Sequence, residues 1–329
     1  MNEVNKNHES SLASRLASLP DDFQDFSEVY ARDIQPALAA QEIERQKAWG
    51  KAKKFIAIAV VAGLVLGGGA FFLFKSIFAI FIGVVVAAGL CIYGFVDLNN
   101  VKAHAKQMMI NPIASKFGIT YNEKPSETAE ANLQTVRSLD LVPSWDRKSL
   151  QDEMIGERNG IPFEFFEAHL EDKRTSTDSE GRTRTEWVTV FRGQVWVFQA
   201  PKTFHGTTKV TRDSGIFNAL GGLGSKFSRI KLEDPEFEKK FEVYGTDQVE
   251  ARYMLTPDVM QAILDLETAF KGGRLRCAFD GNKILAACEG SDLFEPGSMF
   301  KSFDDPNRVG DLLEDFAAMF HLIDVLGKK

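Results

Sequence analysis

Two apolar runs decide the architecture of this chain: FIAIAVVAGLVLGGGAFFLF at Phe55–Phe74 and IFAIFIGVVVAAGLCIYGFV at Ile77–Val96. As an α-helix, each run is about 30 Å long, which matches the hydrocarbon core of a bilayer. Only Lys75 and Ser76 separate them. One continuous helix would bury Lys75 in lipid at a cost of roughly 2.5–3.5 kcal/mol, whereas a hairpin places its amine at the far interface. We therefore predict a transmembrane helical hairpin, and we disfavour a buried hairpin in a soluble protein because no charge interrupts either run.

The residues that flank the hairpin predict its orientation. Basic side chains cluster at the outer ends of both runs, and Lys75 alone lies in the turn. The flanking residues are Arg45, Lys47, Lys51, Lys53, Lys54, Lys102 and Lys106. Because cytoplasmic segments next to membrane spans are rich in Lys and Arg, both termini are expected in the cytoplasm. The long charged segment before Phe55 is not typical of a cleaved signal peptide.

Small residues recur at four-residue spacing within the two runs. They are Gly63, Gly67, Ala79, Gly83 and Ala87. Such rows let helix backbones approach closely in lipid. We expect them to pack the two helices of one hairpin together, and the alternative is that they join hairpins into a homo-oligomer. A conducting pore is disfavoured because neither run contains a polar or acidic ring.

Composition and charge exclude several classes of function. The net charge of −7 and the pI of about 5.4 argue against a nucleic-acid partner, which would select a basic surface. Cys91, Cys277 and Cys288 form no CxxC pair, and the five histidines have no metal-ligand spacing. We therefore predict no metal and no cofactor. Reduced cysteines also agree with a cytoplasmic location.

Four segments follow from these patterns. Residues 1–54 are expected to form N-terminal cytoplasmic helices, with a kink or a restart at Pro36. Residues 55–96 form the hairpin, and residues 97–137 continue as a juxtamembrane helix and a linker. The fourth segment, residues 138–329, is predicted to be a cytoplasmic α+β domain with an antiparallel sheet packed by helices.

Turn signals and periodicity outline the sheet domain. Asn159-Gly160 between two apolar runs predicts a β-hairpin. The polar segment Lys173–Thr183 is interpreted as a loop, and the segment Trp187–Ala200 is either one long bulged strand or a tight hairpin. Asn122–Glu130 is interpreted as part of the linker. The helical period from Val309 to Leu326 predicts a last helix that docks on the sheet.

The stretch TDQVEARYMLTP, Thr246–Pro257, concentrates charged groups, but local structure accounts for most of them. Asp247 and Glu250 have the spacing of a capping box, in which Glu250 reaches back to the start of the helix. Thr256 before Pro257 is predicted to cap the next helix. Arg252 has no local partner in this scheme, so it is a candidate for holding a buried carboxylate or an anionic ligand.

A second predicted hairpin alternates about Asp280-Gly281-Asn282. Cys277 and Cys288 lie on its apolar face and are expected to be core residues. Arg274, Arg276 and Lys283 lie on the opposite face. We expect this face to be solvated, and the alternative is a patch for an anionic partner or lipid headgroup, together with Arg252.

The run LEDPEFEKKFEVYGTDQVEARYMLTP, Leu232–Pro257, resembles the signature of an uncharacterised bacterial membrane family, domain of unknown function 3137. The order of an N-terminal helix, two adjacent spans and VFRG at Val190–Gly193 is also similar. The resemblance implies a multi-pass protein of the bacterial inner (cytoplasmic) membrane. It implies no activity and no catalytic residues.

Two functions remain open at this stage. The first is a cytoplasmic-facing binding or scaffold module at the membrane, with the lipid bilayer and a protein partner or second copy as its partners. The second is a membrane-bound enzyme acting on an envelope or lipid-related anionic substrate, with Asp247, Glu250 and Arg252 in a cleft. The sequence identifies no catalytic residue, which favours the first.

Overall fold

A computed structural model describes residues 14–69, 72, 75, 77–177, 181–212, 226–270, 273–290, 302–303 and 305–327. The chain divides into two compact units. The helical unit comprises Met1–Ile113 and Phe294–Asp311, and the sheet unit comprises Ala114–Leu293 and Leu312–Lys329. The mixture of helices and one large antiparallel sheet confirms the predicted α+β class.

Helices and two π-helical segments build the first part of the chain. They are α1 (Asp21–Gln24), α2 (Phe26–Val29), a π-helix (Tyr30–Ile34), α3 (Gln35–Ala62), a second π-helix (Gly63–Gly69) and α4 (Ile77–Lys116). Pro36 lies where the first π-helix meets α3. Ile34 and Gln35 both keep helical backbone angles, so the helix continues through the proline and does not restart there. Helix α4 continues through Pro112 to Lys116.

In the part of the chain that the structure describes, two helical segments are long and apolar enough to cross a membrane, Asp21–Gly69 and Ile80–Lys116. Their most apolar windows are only 17% and 11% buried, whereas a core helix of a soluble protein would be mostly buried. Large side chains such as Leu64 and Phe81 are more than 60% exposed. A continuous apolar surface of this kind is rare on soluble monomers and indicates contact with lipid or protein.

Within the described residues the sheet has nine strands, and every neighbouring pair is antiparallel. The strands are β1 (Thr120–Asn122), β2 (Arg147–Arg158), β3 (Ile161–Thr177), β4 (Thr183–Gln199), β5 (Thr208–Arg212), β6 (Ser228–Ile230), β7 (Phe241–Gly245), β8 (Arg276–Asp280) and β9 (Lys283–Glu289). Their order is β1-β2-β3-β4-β9-β8-β5-β7-β6, so β9 lies between β4 and β8.

Helices pack on the sheet. Helix α5 (Glu127–Ser138) joins a buried apolar core that includes Leu133, Phe166 and Leu285. Because alternate strand residues point to opposite faces, Trp196 lies on the other face, where its ring contacts Phe165 and Phe270. The segment Asn122–Glu130, predicted to be part of a linker, instead contains the last residue of β1 and the first turn of α5, which packs in the core.

The remaining helices are α6 (Pro235–Lys240), α7 (Gln248–Met254), α8 (Pro257–Ala269) and α9 (Pro306–Gly327). In the sheet unit, Phe320 of α9 contacts the ring of Phe163 at a centroid distance of 6.1 Å. Asp324 accepts hydrogen bonds from Arg158 at 2.7 and 2.6 Å. The last helix thus contacts the β2–β3 hairpin, whose turn residues Asn159 and Gly160 both have positive φ.

The segment predicted as a loop at Lys173–Thr183 is largely strand. Strand β3 continues to Thr177, β4 begins at Thr183, and Thr175 pairs with Thr185. Both sides of this ribbon are exposed, so its side chains lack the apolar alternation that identifies a half-buried strand.

The segment Trp187–Ala200 forms one long strand, β4, up to Gln199. The pairing of β3 with β4 shifts between Leu170 and Glu171, which leaves Val190 as the extra residue of a bulge. Gly193 is not the bulge residue. It allows β9 to approach closely, because a Cβ at this position would lie 1.9 Å from the carbonyl oxygen of Cys288 on β9.

Candidate functional site

The carboxylates of the Thr246–Pro257 stretch are held by backbone amides. Asp247 caps α7 and accepts from the amides of Val249 at 2.8 Å and Glu250 at 3.0 Å. Glu250 does not reach back to the start of its helix. Its two oxygens accept from the amides of His205 at 2.9 Å and Gly206 at 2.7 Å. The pairing of β5 with β7 brings this distant loop to α7, which local spacing could not reveal.

Thr256 occupies the N-cap position of α8, but its side chain makes no capping hydrogen bond. Its hydroxyl oxygen is buried and has no hydrogen-bond partner among the described residues. The predicted cap is therefore present in backbone position only.

Arg252 lies on an exposed surface of α7. Its Nη2 is 3.4 Å from the carbonyl oxygen of Lys231, a long contact. Beside it on the helix, Val249 is 78% exposed and Tyr253 is 64% exposed. The Nζ atom of Lys202 lies 4.2 Å from the centre of the Tyr253 ring. We call Lys202, Val249, Arg252 and Tyr253 the α7 surface; it combines two apolar side chains with two cations.

The predicted charged face of the β8–β9 hairpin is solvated at Arg274 and mostly covered elsewhere. Ala278 and Leu285 on that face belong to the core beneath α5. Arg276 donates to the carbonyl oxygen of Leu141 at 3.0 Å and pairs with Glu289 at 2.8 Å. The expectation of a solvated face does not hold for Arg276, because other parts of the chain pack on this hairpin.

The other two cations of the predicted patch differ in their surroundings. Lys283 donates to the side-chain oxygen of Asn132 on α5 at 2.8 Å. Its ammonium group is therefore already bonded to a helix more than 140 residues earlier in the chain. Arg274 is exposed. Arg276 and Lys283 therefore already have protein partners, which weakens the interpretation of this face as an anion-binding patch.

Cys277 and Cys288 are buried free thiols. Burial raises the pKa of each to about 12, and for Cys288 the charges of Glu267 and Glu289 add to the effect. Cys277 pairs with Ala286 rather than with Cys288. Both cysteines are thus core residues, and neither is in its reactive thiolate form at neutral pH.

A buried polar group under α5 escaped the sequence analysis. Glu153, at 0% exposure, accepts hydrogen bonds from the side chain of Asn122 and from both the amide and the hydroxyl of Ser126. Ser126 also caps α5. Glu164 lies nearby on the same face and accepts from Asn132 at 2.8 Å. The carboxylates hold α5 on the sheet.

Glu164 is the least satisfied member of this group. It is 7% exposed, and its Oε1 has no hydrogen-bond partner among the described residues. Burial raises the pKa of Glu164, and the charge of Glu153 raises it further, against the opposing effects of Asn132 and Lys283. No set of three His, Cys, Asp or Glu side chains in the described part of the chain is placed to hold a metal ion.

The small residues of the apolar runs bring the two helices of one chain into contact. A Cβ built on Gly83 would lie 2.6 Å from the Cα of Gly67, and a Cβ on Gly63 would lie 3.5 Å from the Cβ of Ala87. The side chain of Ala79 lies outside the described residues. This geometry is the intramolecular packing that the spacing favours.

Comparisons with known proteins give a family match for part of the chain and one weak structural similarity. Residues 189–328 match the model of the family described as Protein of unknown function (DUF3137), which confirms the predicted resemblance for this part of the chain. The curated proteins include no match. Among solved structures, the chain is similar to the crystal structure of the mycobacterial trehalose monomycolate transport factor A, TtfA. The sequences are 12% identical, the alignment covers 63% of this chain and 92% of that one, and the TM-score is 0.33.

Proposed function

We propose that this chain, which carries a DUF3137 domain at residues 189–328, is a membrane-anchored binding or scaffold module. In this proposal Phe55–Phe74 and Ile77–Val96 cross the inner membrane as a hairpin, and both termini and the sheet unit face the cytoplasm. The sheet unit then presents a recognition surface next to the bilayer.

The exposed apolar surface of the two long helices carries the proposal. In water, exposed residues such as Val61, Val65 and Val84 would be costly to hydrate, and lipid removes that cost. The close contact of Gly67 with Gly83 is of the kind that joins helices in lipid, where apolar side chains gain nothing by leaving the solvent. The basic residues at the outer ends of the spans support a cytoplasmic location for both termini.

The α7 surface is the favoured site for a partner. Tyrosine and arginine are enriched among residues that dominate protein interfaces, and Tyr253 and Arg252 are both exposed. The cations Lys202 and Arg252 favour an acidic partner with an apolar contact residue. Asp247 and Glu250 already accept hydrogen bonds from backbone amides, which favours a binding role over an enzyme that uses them in a cleft.

Cysteine labelling in intact cells tests the topology. The Lys75→Cys variant places a thiol in the turn between the spans, and Ser176→Cys places one on the exposed β3–β4 ribbon. We expect a membrane-impermeant maleimide to label the first variant in intact cells and the second only after permeabilisation. Removal of the protein from membranes by alkaline carbonate, or labelling of Ser176→Cys in intact cells, would contradict the proposal.

Extraction of the full chain in polymer nanodiscs tests the binding role. Proteins that remain bound at stoichiometric amounts are identified by mass spectrometry for the wild type and for Arg252→Ala with Tyr253→Ala. We expect at least one partner to be lost from the variant and retained by the matched control Arg174→Ala, an exposed cation of the β3–β4 ribbon. An identical set of proteins for all three chains would overturn the assignment of the α7 surface.

A further inference from the structure

A groove of about 470 Å³ lies between α3 and α4 in the helical unit. Its polar lining comes from Glu44, Lys47 and Lys51 on α3 and from Asp97, Asn100 and His104 on α4. The spacing of three, four or seven residues places each set on one face of its helix. We call it the juxtamembrane groove.

The groove holds two cations and two carboxylates. Lys47 pairs with Glu44 at 2.7 Å, and Lys51 pairs with Asp97 at 2.6 Å. All four side chains are between 41% and 67% exposed. Pairs as exposed as these contribute little to stability, so each charge can exchange its partner for a ligand. The formal charges of the two lysines and the two carboxylates cancel.

The end of the groove nearest the spans, at Lys51 and Asp97, corresponds to the headgroup layer if the hairpin spans the membrane. Lys51 lies four residues before Phe55, about 6 Å along the helix, and Asp97 follows Val96 directly. Aromatic rings surround this level: Lys51 Nζ lies 5.3 Å from the centre of the Tyr93 ring, and the Trp49 and Phe95 rings are 6.3 Å apart. Tyrosine and tryptophan are enriched at this depth of membrane proteins.

We infer that the juxtamembrane groove binds the headgroup of a zwitterionic phospholipid that carries a phosphate and a primary ammonium. Lys47 and Lys51 receive the phosphate, while Asp97 and Glu44 receive the ammonium. A headgroup with a phosphate but no amine would take the two lysines away from Glu44 and Asp97. The two carboxylates would then lie beside the phosphate with no cation between them, which disfavours anionic lipids. This inference rests on the proposed membrane insertion of the hairpin and adds a ligand to it.

Native mass spectrometry of the full chain released from nanodiscs tests the inference. The discs contain phosphatidylethanolamine and phosphatidylglycerol in equal amounts. We expect phosphatidylethanolamine to remain bound in about tenfold excess, the combined effect of two exposed charge pairs. The charge-balanced double variant Lys51→Gln with Asp97→Asn should lose most of this excess. The control Lys53→Gln, which removes a cation near Trp49 that does not line the groove, should keep it.

Other outcomes overturn the inference in distinguishable ways. Equal retention of both lipids, or an unchanged excess in the double variant, shows that the groove does not select a zwitterionic headgroup. Displacement of the bound lipid by inorganic phosphate in the millimolar range shows a site for free phosphate instead. Release of the wild-type chain from the same membranes by alkaline carbonate shows that the membrane insertion itself is wrong.

Discussion

The hairpin helices and the antiparallel sheet arrange apolar groups in opposite ways. In the hairpin, large side chains such as Val65 and Phe81 are exposed, and the glycine backbones of Gly67 and Gly83 meet inside. In the sheet unit, large side chains such as Phe166 and Trp196 are fully buried. The sheet unit therefore removes its apolar side chains from solvent, whereas the two long helices keep theirs on a surface that suits contact with lipid or protein.

The two units also differ in how they hold a buried glutamate. In the helical unit, Glu42 accepts from Arg45 through two bonds of 2.7 Å, from Gln46 at 2.9 Å and from the amide of Phe303 at 3.0 Å. Burial alone would raise its pKa, but these donors lower it to about 2. Glu164 in the sheet unit is equally buried with one strong donor, and its pKa is raised. Burial raises the pKa of both groups, and the outcome differs because Glu42 has several donors and the charge of Arg45, whereas Glu164 has one donor and the like charge of Glu153.

The largest expected effect is at Glu42. The Glu42→Gln substitution leaves Arg45, 8% exposed, without its buried counter-charge, and we expect a loss of about 3–5 kcal/mol in the free energy of unfolding. Glu44→Gln is the control, because the exposed Glu44–Lys47 pair should contribute only about 0–1 kcal/mol. Thermal unfolding of the detergent-solubilised chain measures both, and equal effects would contradict the assignment.

The stability provided by Glu42 should also depend on pH. Because its folded pKa is lower than its unfolded value, the contribution is present above the ordinary pKa of 4.5 and is lost as the pH falls from there to about 2. The difference in melting temperature between the wild type and Glu42→Gln should therefore shrink over this interval. A constant difference would show that ionisation is not involved.

A smaller effect sharpens the contrast in packing. Gly83→Ile introduces a Cβ 2.6 Å from the backbone of Gly67, and we expect a loss of about 1–3 kcal/mol as the helices separate. Gly89→Ile in the same helix is the control, since no atom lies within 4 Å of a Cβ at that position. Resistance to unfolding by sodium dodecyl sulfate compares the two. Equal loss in both variants would show that helix propensity, not packing, is responsible.

The caps of α7 and α8 give the next effect. Asp247→Ala removes two hydrogen bonds to backbone amides and should cost about 0.5–2 kcal/mol. Thr256→Ala removes a hydroxyl that makes no capping bond, so its stability should be close to that of the wild type or higher. Thermal unfolding of both variants is the test. If the Asp247→Ala variant kept full stability but no longer bound its protein partner, the assignment of Asp247 as a helix cap would fail.

The smallest effect has the opposite sign. A carboxyl with a raised folded pKa is stabilising in its neutral form at low pH and becomes a burden as the pH rises through that pKa. Glu164→Gln should therefore raise the melting temperature at neutral pH, and the gain should vanish in acid. A lower melting temperature at neutral pH would mean that the charged form stabilises α5 on the sheet.

The sequence predicted the features whose causes are local. The apolar runs, the Asn159-Gly160 turn and the Asp247 cap each depend on residues within one element or one turn. Both turn residues have positive φ, as the Asn-Gly pair requires.

The features that the sequence did not predict depend on distant partners. Glu164 is buried only because Asn132, more than 30 residues earlier, lies above it on α5. Glu250 accepts from the amides of His205 and Gly206 instead of from its own helix, because the pairing of β5 with β7 brings that distant loop to it. The ribbon of residues 173–187 is held by pairing between two polar strands, which neither strand reveals alone.

The position of β4 has a practical consequence for defining a soluble fragment. The family match begins at Thr189, inside β4, and so excludes β3, the strand that pairs with one edge of β4. A recombinant chain cut at this boundary would also lack α5 and would leave Val195 and Val197 on an open sheet edge, a template for aggregation. The segment that defines the family is therefore shorter than the segment that folds, and a soluble fragment should begin near Ala114.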